Sequence, residues 1–518
     1  MRGTRWFVGL LSLFLLCWVS PTDGKRNNIL FLMADQMRWD ARGPKITPNL
    51  DQLGRDGCEF VRAYSTTPTC TPARAAILTG RSPWFHGMLG YGKIATEYPQ
   101  GEFVPLLNKL GYITASVGKD HFGWNFTANE GIPHGFASTQ LYDGVGNGFN
   151  VTNVEYDNYD QWFQQKMPHV DPNKGFVNHN EWRARPYPFD AFYHPTAWTG
   201  RRAVKFLSEH DKAHPFFLKV SFHRPHSQYD PPPAYFERIP EALVRPPIVG
   251  GNWDTVYSVS SDCGSSKPDA WCGNMGENAT MYTRRSYLAN VLFVDEQIGE
   301  VINAVNENGF GNNTFILFVS DHGDGQGDHY HWRKGYPYEF SAHVPMVVWW
   351  PKNMYAFNRG QRSKHVVELR DLLPTFLDVG GGSSLIPENI NGSSLLTILQ
   401  GGLTTWREWI DLEHNICYNI SNHWNALTDG KFKYIFRAFY GDEQLFDLEK
   451  DPGEITNLAD KIAYQQTLKL WRSRLVRQFV EEGRGTAWVE DSPGVEGKRL
   501  KRRVTGLPYS PYYPHQNT

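Results

Sequence analysis

Four apolar runs of strand length, each followed at once by polar residues, do most to limit what this 518-residue chain can fold into. Helical patterns separate the runs, and that alternation is typical of a mainly parallel sheet. We therefore predict an α/β fold with a large, mixed, mainly parallel sheet flanked by helices. The four runs are Asn28 to Ala34, Tyr112 to Val117, Phe216 to Phe222 and Thr314 to Ser320.

The residues that follow the four runs are rich in groups that carry chemistry. Open α/β sheets bind their ligands outside the carboxyl ends of the strands. We therefore expect one composite site at this edge, although an ordinary polar loop start is the simpler interpretation of any single run. The segments are Asp35-Gln36, Gly118-Lys119-Asp120-His121, His223-Arg224-Pro225-His226 and Asp321-His322-Gly323-Asp324.

The pattern of predicted strands and helices changes from about Ser394 onward. Residues 424–440 contain a turn signal at Asp429-Gly430 between two strand-like runs, which predicts a hairpin. A helical pattern follows from Tyr464 to Glu482, and a basic run from Lys498 to Arg503 leads into a Pro/Tyr-rich tail. We interpret residues 394–518 as a smaller C-terminal α+β domain with an antiparallel sheet, and the tail as solvated. Residues 25–393 then form the larger α/β domain, which carries the expected composite site.

Composition argues against a disordered chain, a small disulfide scaffold and a nucleic-acid-binding protein. Hydrophobic residues make up 40% and charged residues 20%, so the chain can bury a large core. The 52 basic and 54 acidic residues nearly cancel, which leaves no electrostatic footprint for nucleic acid.

The amino terminus indicates entry into the secretory pathway. Arg2 and Arg5 precede an apolar run from Trp6 to Val19, which predicts a signal peptide over residues 1–24. A membrane anchor is the alternative, but the run is shorter than the roughly 20 apolar residues that a span needs. Extracellular and lysosomal destinations both remain open. N-glycosylation sequons fit this route and begin at Asn125, Asn150, Asn278, Asn312, Asn391 and Asn419.

Cysteine spacing suggests one disulfide. Cleavage of the signal peptide leaves Cys58, Cys70, Cys263, Cys272 and Cys417, and four remain if Cys70 is reserved for chemistry. Cys263 and Cys272 lie close together in a Gly/Ser/Pro-rich stretch, so we predict a bridge between them, with free thiols as the alternative.

The segment from Cys70 to Gly80 carries the strongest motif, reading C-x-P-x-R, four residues, then T-G. Pro72 suits the first turn of a helix that stops at Gly80, so Cys70 should lie at a helix N-terminus, where backbone N–H groups favour an anion. The alternative is that Cys70 is a buried cysteine with only a structural role. The string resembles the signature of the sulfatase family, in which the formylglycine-generating enzyme converts this cysteine to formylglycine (3-oxoalanine).

Further positions match the sulfatase family one by one, from about Asn28 to Asp460. The resemblance implies an alkaline-phosphatase-like fold and one divalent cation, usually Ca²⁺, with five expected ligands: Asp35, Gln36, Cys70 in its modified form, Asp321 and His322. Many members have Asp in place of Gln36 and Asn in place of His322, and an imidazole ligand leaves the metal's identity open. A third departure is His343, where many members have Arg, and we expect it at the rim of the pocket.

The resemblance also implies the catalytic and sulfate-binding residues. Lys119 and His121 match a G-K-x-H-x-G string, and His226 and Lys334 match the histidine and lysine that hold the sulfate. The implied substrate-binding residues are Lys119, His226 and Lys334. A hydroxyl of the hydrated aldehyde would attack sulfur, with Asp321 assisting its deprotonation and His121 positioning it. His226 or Lys334 would protonate the leaving oxygen. The implied catalytic set is Cys70, Arg74, Lys119, His121, His226, Asp321 and Lys334.

Two alternatives to a sulfatase stay open at this point. One is a phosphatase, phosphodiesterase or phosphonate hydrolase of the alkaline-phosphatase-like group, and the other is an inactive homologue that binds sulfated glycan. The substrate, an aryl sulfate or a sulfated carbohydrate, and the oligomeric state are not encoded in a readable way. Aromatic-rich stretches at 142–162, 182–198 and 413–424 are candidates for the mouth of the pocket, or for packing.

Overall fold

The structure is a computed structural model that describes residues 26–122, 133–144, 158–175, 179–251, 253, 267–401, 405–495 and 497–514. The predicted signal peptide, the sequons at Asn125 and Asn150, and Cys263 lie outside these residues.

An eight-stranded sheet forms the body, in the order β5-β4-β6-β1-β7-β8-β2-β9. All neighbouring strands are parallel except β8, which runs antiparallel to β7 and β2. The predicted mixed, mainly parallel sheet is therefore confirmed. The strands along the chain are β1 Asn28–Asp35, β2 Cys58–Phe60, β3 Ala63–Tyr64, β4 Ile113–Gly118, β5 Ser138–Leu141, β6 Phe216–Pro225, β7 Thr314–Ser320, β8 Met346–Trp349, β9 Gln361–Ser363, β10 Val367–Glu368, β11 Ile410–His414, β12 Trp424–Thr428, β13 Phe432–Arg437, β14 Asp442–Asp447, β15 Val489–Val495 and β16 Lys498–Leu500.

Helices cover both faces of the large sheet, and this explains why its central strands are continuous apolar runs. One face packs against α2, α4 and α10, and the other against α1, α6 and α8. Strand β1 is buried along its whole length. The helices are α1 Pro48–Asp56, α2 Cys70–Thr79, α3 Pro83–His86, α4 Phe103–Lys109, α5 Asn158–Lys166, α6 Pro195–Glu209, α7 Pro233–Glu237, α8 Glu277–Glu307, α9 Glu339–Ala342, α10 Leu372–Val379, α11 Leu396–Leu399 and α12 Gln465–Glu481.

A second, four-stranded antiparallel sheet, β11-β12-β13-β14, follows in the C-terminal part. The predicted hairpin is confirmed, with β12 and β13 paired around Asp429-Gly430. Helix α12 packs one face of this sheet through Leu468, Trp471 and Leu475. The other face meets aromatic residues of the body. The whole sheet lies within residues 394–518, whose boundaries stay a prediction.

The expectation of a merely solvated tail is wrong, because the tail packs against the rest of the chain at several points, although side chains such as Arg499 and Leu507 stay exposed. Lys498–Leu500 is strand β16, paired with β15, and the Arg503 guanidinium lies 4.0 Å from the centre of the Trp488 ring. Further on, the Tyr509 hydroxyl accepts a hydrogen bond from Lys93 N (2.7 Å), and Ser510 Oγ donates to Trp84 O (2.6 Å). Aromatic stacking and satisfied polar groups therefore bind the tail to the body.

The state of the cysteines and the character of the helices relate to the predicted secretory route. Cys272 is disulfide-bonded, while its predicted partner Cys263 lies outside the described residues. Cys58, Cys70 and Cys417 are buried free thiols. Among the residues that the structure describes, no helix combines the length and the apolar character that crossing a membrane requires.

A buried lysine joins the second sheet to the body. Lys433 of β13 is fully buried, and its Nζ lies 2.7 Å from Glu339 Oε1 and 2.9 Å from Glu454 Oε1. We predict that Lys433→Met, which leaves two buried carboxylates unpaired, lowers the free energy of unfolding by about 3–5 kcal/mol. Chemical denaturation followed by tryptophan fluorescence measures this. The matched control is Lys431→Met, because Lys431 is exposed two residues away. Equal losses in both variants would contradict the prediction.

Candidate active site

The carboxyl ends of neighbouring parallel strands bring the predicted residues to one place. Strand β1 lies between β6 and β7, with Ala34 opposite Ser320 and Asp35 opposite Pro225. Asp35 therefore lies beside the segments that follow β6 and β7, and β4 adds the next loop on the far side of β6. Gly118 ends β4 at φ +90°, where an added Cβ would lie 2.1 Å from Ser221 O, so only glycine fits this close approach.

Cys70 is the first residue of α2 and is 1% exposed. Its Sγ lies 3.2 Å from His322 Nε2, 3.8 Å from Asp35 Oδ1 and 3.8 Å from Lys119 Nζ. Burial alone would raise the pKa of the thiol. The positive charges of Lys119, Lys334 and His322 outweigh burial and hold this pKa well below its ordinary value. The site thus favours an anion at residue 70, as the helix N-terminus predicts.

Four of the five predicted metal ligands form a compact buried group. Donor atoms of Asp35, Cys70, Asp321 and His322 all lie within 4.8 Å of one another. Burial and the neighbouring Asp35 charge raise the pKa of Asp321, and a divalent cation would relieve this repulsion. Two carboxylates suit a hard cation such as Ca²⁺, while the imidazole also suits softer metals. The residues therefore fit the implied metal.

The fifth predicted ligand, Gln36, has its side chain engaged with other residues. Its Oε1 accepts a hydrogen bond from Lys334 Nζ (2.8 Å), and its Nε2 donates to Asp324 Oδ2 (2.5 Å). Its backbone N–H donates to Asp321 Oδ1 (3.1 Å), and its φ of +68° is unusual for a residue with a side chain. Gln36 thus lies at the edge of the metal group and connects that group to Lys334.

Two cations neutralise the buried carboxylates. Arg74 Nη2 lies 2.9 Å from Asp321 Oδ2, and Nη1 donates to Lys119 O (2.9 Å). Lys119 Nζ contacts Asp35 Oδ2 directly. Although burial opposes a charged amine, Asp35 and Cys70 raise the pKa of Lys119 to about 12. Arg74 and Lys119 are therefore fixed charges of the site.

His226 and Lys334 form a hydrogen-bonded pair. The Lys334 Nζ lies 2.5 Å from His226 Nε2, and His226 Nδ1 lies 2.6 Å from Ser227 O. A carbonyl can only accept, so Nδ1 carries the proton and Nε2 accepts from Lys334. Burial and the charges of Lys334 and Lys119 lower the pKa of His226 to about 3, which agrees with a neutral ring.

His121 completes the predicted set. It is half-buried at φ +50°, its backbone N–H donates to Asp143 Oδ1 (3.0 Å), and its side chain hydrogen-bonds the Cys70 thiol. All the predicted site residues therefore lie around residue 70.

A cavity of about 340 Å³ opens over this group. Its wall includes three residues that sequence reasoning did not single out, Tyr91, His179 and Arg333, together with His223 near the carboxyl end of β6. Two of the three aromatic-rich stretches reach this wall, at Asp143 and Tyr418. In the stretch 182–198, Phe189, Tyr193 and Trp198 pack against Tyr159 and Phe163 instead, so that stretch serves packing. Residues 145–157 lie outside the described residues.

His343 does not line this cavity, so its expected place at the pocket rim is wrong. Its ring stacks between Trp39 (4.7 Å) and Tyr64 (4.9 Å), and its Nδ1 lies 2.7 Å from Glu339 Oε2. The two stacking contacts and the hydrogen bond with Glu339 hold the ring within the body.

The fold is alkaline-phosphatase-like, and comparison with known proteins gives the family. The sulfatase family model matches residues 27–382, and the model for the C-terminal part of N-sulphoglucosamine sulphohydrolase matches residues 327–481. An arylsulfatase of Clostridium perfringens is 36% identical over 91% of this chain and 97% of its own. The chain belongs to the sulfatase family and is a sulfuric ester hydrolase.

Solved structures show the same fold. A phosphonate monoester hydrolase of Agrobacterium radiobacter superposes with a TM-score of 0.71 at 22% identity, covering 92% of this chain and 100% of its own. A second solved structure, of a protein in complex with its substrate D-glucosamine-2-N,6-O-disulfate, gives a TM-score of 0.68 at 22% identity, and the match covers 89% of this chain and 99% of that one. Because both identities are low, these likenesses describe the fold alone.

We predict that Ca²⁺ stabilises the chelator-treated protein and that Asp321→Asn removes most of this gain. A ligand at 100 times its dissociation constant adds about 2.7 kcal/mol, and the amide lacks the charge that attracts the cation. The measurement is the rise in thermal midpoint on adding Ca²⁺, with Mg²⁺, Mn²⁺ and Zn²⁺ alongside because of His322. Asp211→Asn, at an exposed carboxylate, is the control. An undiminished Ca²⁺-dependent rise in Asp321→Asn would contradict the proposed ligand.

Proposed function

We propose that this chain hydrolyses sulfate esters of phenols or of carbohydrates through a formylglycine made from Cys70 beside a bound divalent cation. The observation that carries the proposal is the position of one thiol at a helix N-terminus, within 4.8 Å of two carboxylates and an imidazole. When bound, the cation would polarise the sulfate oxygens, and the hydrated aldehyde would supply the attacking oxygen.

The residues around Cys70 then have distinct tasks. Asp35, Asp321 and His322 would hold the cation, with Gln36 at its edge. Arg74 would keep Asp321 oriented through the contact at 2.9 Å. Charge on the sulfate oxygens needs preorganised donors, and the Lys119 and Lys334 amines supply them in a buried site.

The geometry favours Lys334 over His226 as the donor to the leaving oxygen. His226 directs its only ring N–H to Ser227 O and accepts a hydrogen bond from Lys334 at its other nitrogen. The proton that can move therefore lies on Lys334 Nζ, and His226 orients this amine. His121, hydrogen-bonded to residue 70, would position the nucleophile.

The proposed setting is the secretory pathway, where the formylglycine-generating enzyme would act on Cys70. In the described part of the chain, the sequon residues Asn278, Asn312 and Asn391 are exposed, as glycosylation requires. The destination would be extracellular or lysosomal, and the substrate an aryl sulfate or a sulfated sugar. The second of these is the kind of molecule bound to the structural relative described above.

Cys70→Ser should abolish sulfate release in protein expressed in a eukaryotic secretory host, because a serine cannot become the aldehyde there. Mass spectrometry of the wild-type peptide spanning Cys70 to Arg74 should show loss of sulfur and gain of an aldehyde oxygen. The peptides with Cys58 and Cys417 are internal controls and should keep their sulfur. Wild-type turnover by Cys70→Ser would refute the nucleophile. Faster hydrolysis of an aryl phosphate or phosphonate than of the matched aryl sulfate would instead favour the phosphatase alternative.

A leaving-group series tests Lys334. If Lys334 protonates the leaving oxygen, Lys334→Ala should lower kcat by about 10²–10⁴-fold for aryl sulfates with poorly acidic phenols, and much less for 4-nitrophenyl sulfate. Lys352→Ala, at an exposed lysine, is the control. A loss in Lys334→Ala that is independent of the phenol would limit Lys334 to sulfate binding.

A further inference from the structure

Arg333 lies on the wall of the catalytic cavity, one residue before Lys334. Its guanidinium stacks 4.2 Å from the centre of the Tyr418 ring, and Nη1 donates a hydrogen bond to Asp269 O (3.0 Å). The backbone at Arg333 has φ +68°, a conformation that costs free energy in a residue with a Cβ and that is concentrated at functional sites. The side chain is thus held in place by two contacts that leave its charge intact.

Within the described residues, Arg333 has no acidic partner of the kind that the cations deeper in the site have. Arg74 is paired with Asp321, and Lys119 contacts Asp35. Arg333 makes no ion pair with any acidic residue in the part of the chain that the structure describes, and its Nε has no hydrogen-bond partner there. Among the described residues, the Arg333 guanidinium is thus a charge on the cavity wall without an ion-pair partner, beyond the groups that face residue 70.

We propose that Arg333 binds a second anionic group, a carboxylate or a further sulfate, on a sugar whose scissile sulfate lies against Lys334 and His226. The inference rests on the proposed function and narrows its substrate to a sugar with at least two anionic groups. A guanidinium presents parallel N–H donors that match a carboxylate or a sulfate, and stacking on Tyr418 fixes their plane before the ligand arrives. A simple aryl sulfate has no second charge and would gain nothing from Arg333.

Matched substrate pairs separate this role from a structural one. One pair is a sulfated disaccharide with a uronate carboxylate and the same disaccharide as its uronate methyl ester. The other pair is a disulfated monosaccharide and its monosulfated form, and 4-nitrophenyl sulfate is the common reference. The enzymes are wild type, Arg333→Gln, Arg333→Lys and Arg359→Gln. Arg359 is the matched control, because it lies over the Trp349 ring and donates to Asp56 O but does not line the cavity.

Wild type should show a lower KM for the charged member of at least one pair, and the pair concerned identifies carboxylate or sulfate as the group bound. Arg333→Gln should raise that KM about tenfold relative to the neutral member, with a smaller change in kcat. Arg333→Lys should keep part of the preference, and Arg359→Gln should keep all of it. Added NaCl should weaken the preference of wild type more than that of Arg333→Gln.

Two results would overturn the inference alone: wild-type sulfate release without a charge preference in either pair, or equal losses on both members in Arg333→Gln. The second result would mean that Arg333 only supports the fold around Lys334. Absence of sulfate release from every substrate by wild type would overturn the proposed function, and the inference with it.

Discussion

The ion pairs of Asp35 with Lys119 and of Asp321 with Arg74 hold the site together. Each joins segments that are far apart in the chain, and all four side chains are buried. Two carboxylates at the ends of adjacent parallel strands would repel each other strongly in a medium of low dielectric constant. The cations from α2 and from the loop after β4 make this arrangement possible, so the packing of α2 on the sheet is also an electrostatic requirement.

The strand ends could be predicted from sequence because the signal is local. A buried parallel strand needs an unbroken apolar run, and the residue after it must lie at the sheet edge. Strand β7 has the predicted bounds, and β1 differs by one residue. These bounds place two polar pairs, Asp35-Gln36 and Asp321-His322, at the carboxyl edge of the sheet. The bounds of α2 could be predicted in the same way, because Pro72 suits its first turn and Gly80 its end.

The remaining features depend on contacts between distant segments, which leave no local pattern. Arg333 and Tyr418 meet through a stacking contact between residues 85 positions apart, and neither residue belongs to a periodic element. The burial of the tail is of the same kind, because it depends on partners such as Trp84 and Lys93 more than 400 residues away. His343 was misplaced because its Glu339 and Trp39 contacts draw it into the body.

Gln36 stands where many members of the family have Asp, and the structure gives a physical reason for the amide. Asp324 Oδ2 accepts hydrogen bonds from Gln36 Nε2 (2.5 Å) and from the Tyr229 hydroxyl (2.6 Å). A carboxylate at position 36 could not donate to Asp324 and would repel it. It would also form an ion pair with Lys334, whereas the neutral amide oxygen only hydrogen-bonds that amine. The neutral amide at position 36 therefore leaves the Lys334 charge unpaired at this contact and able to act on a bound anion.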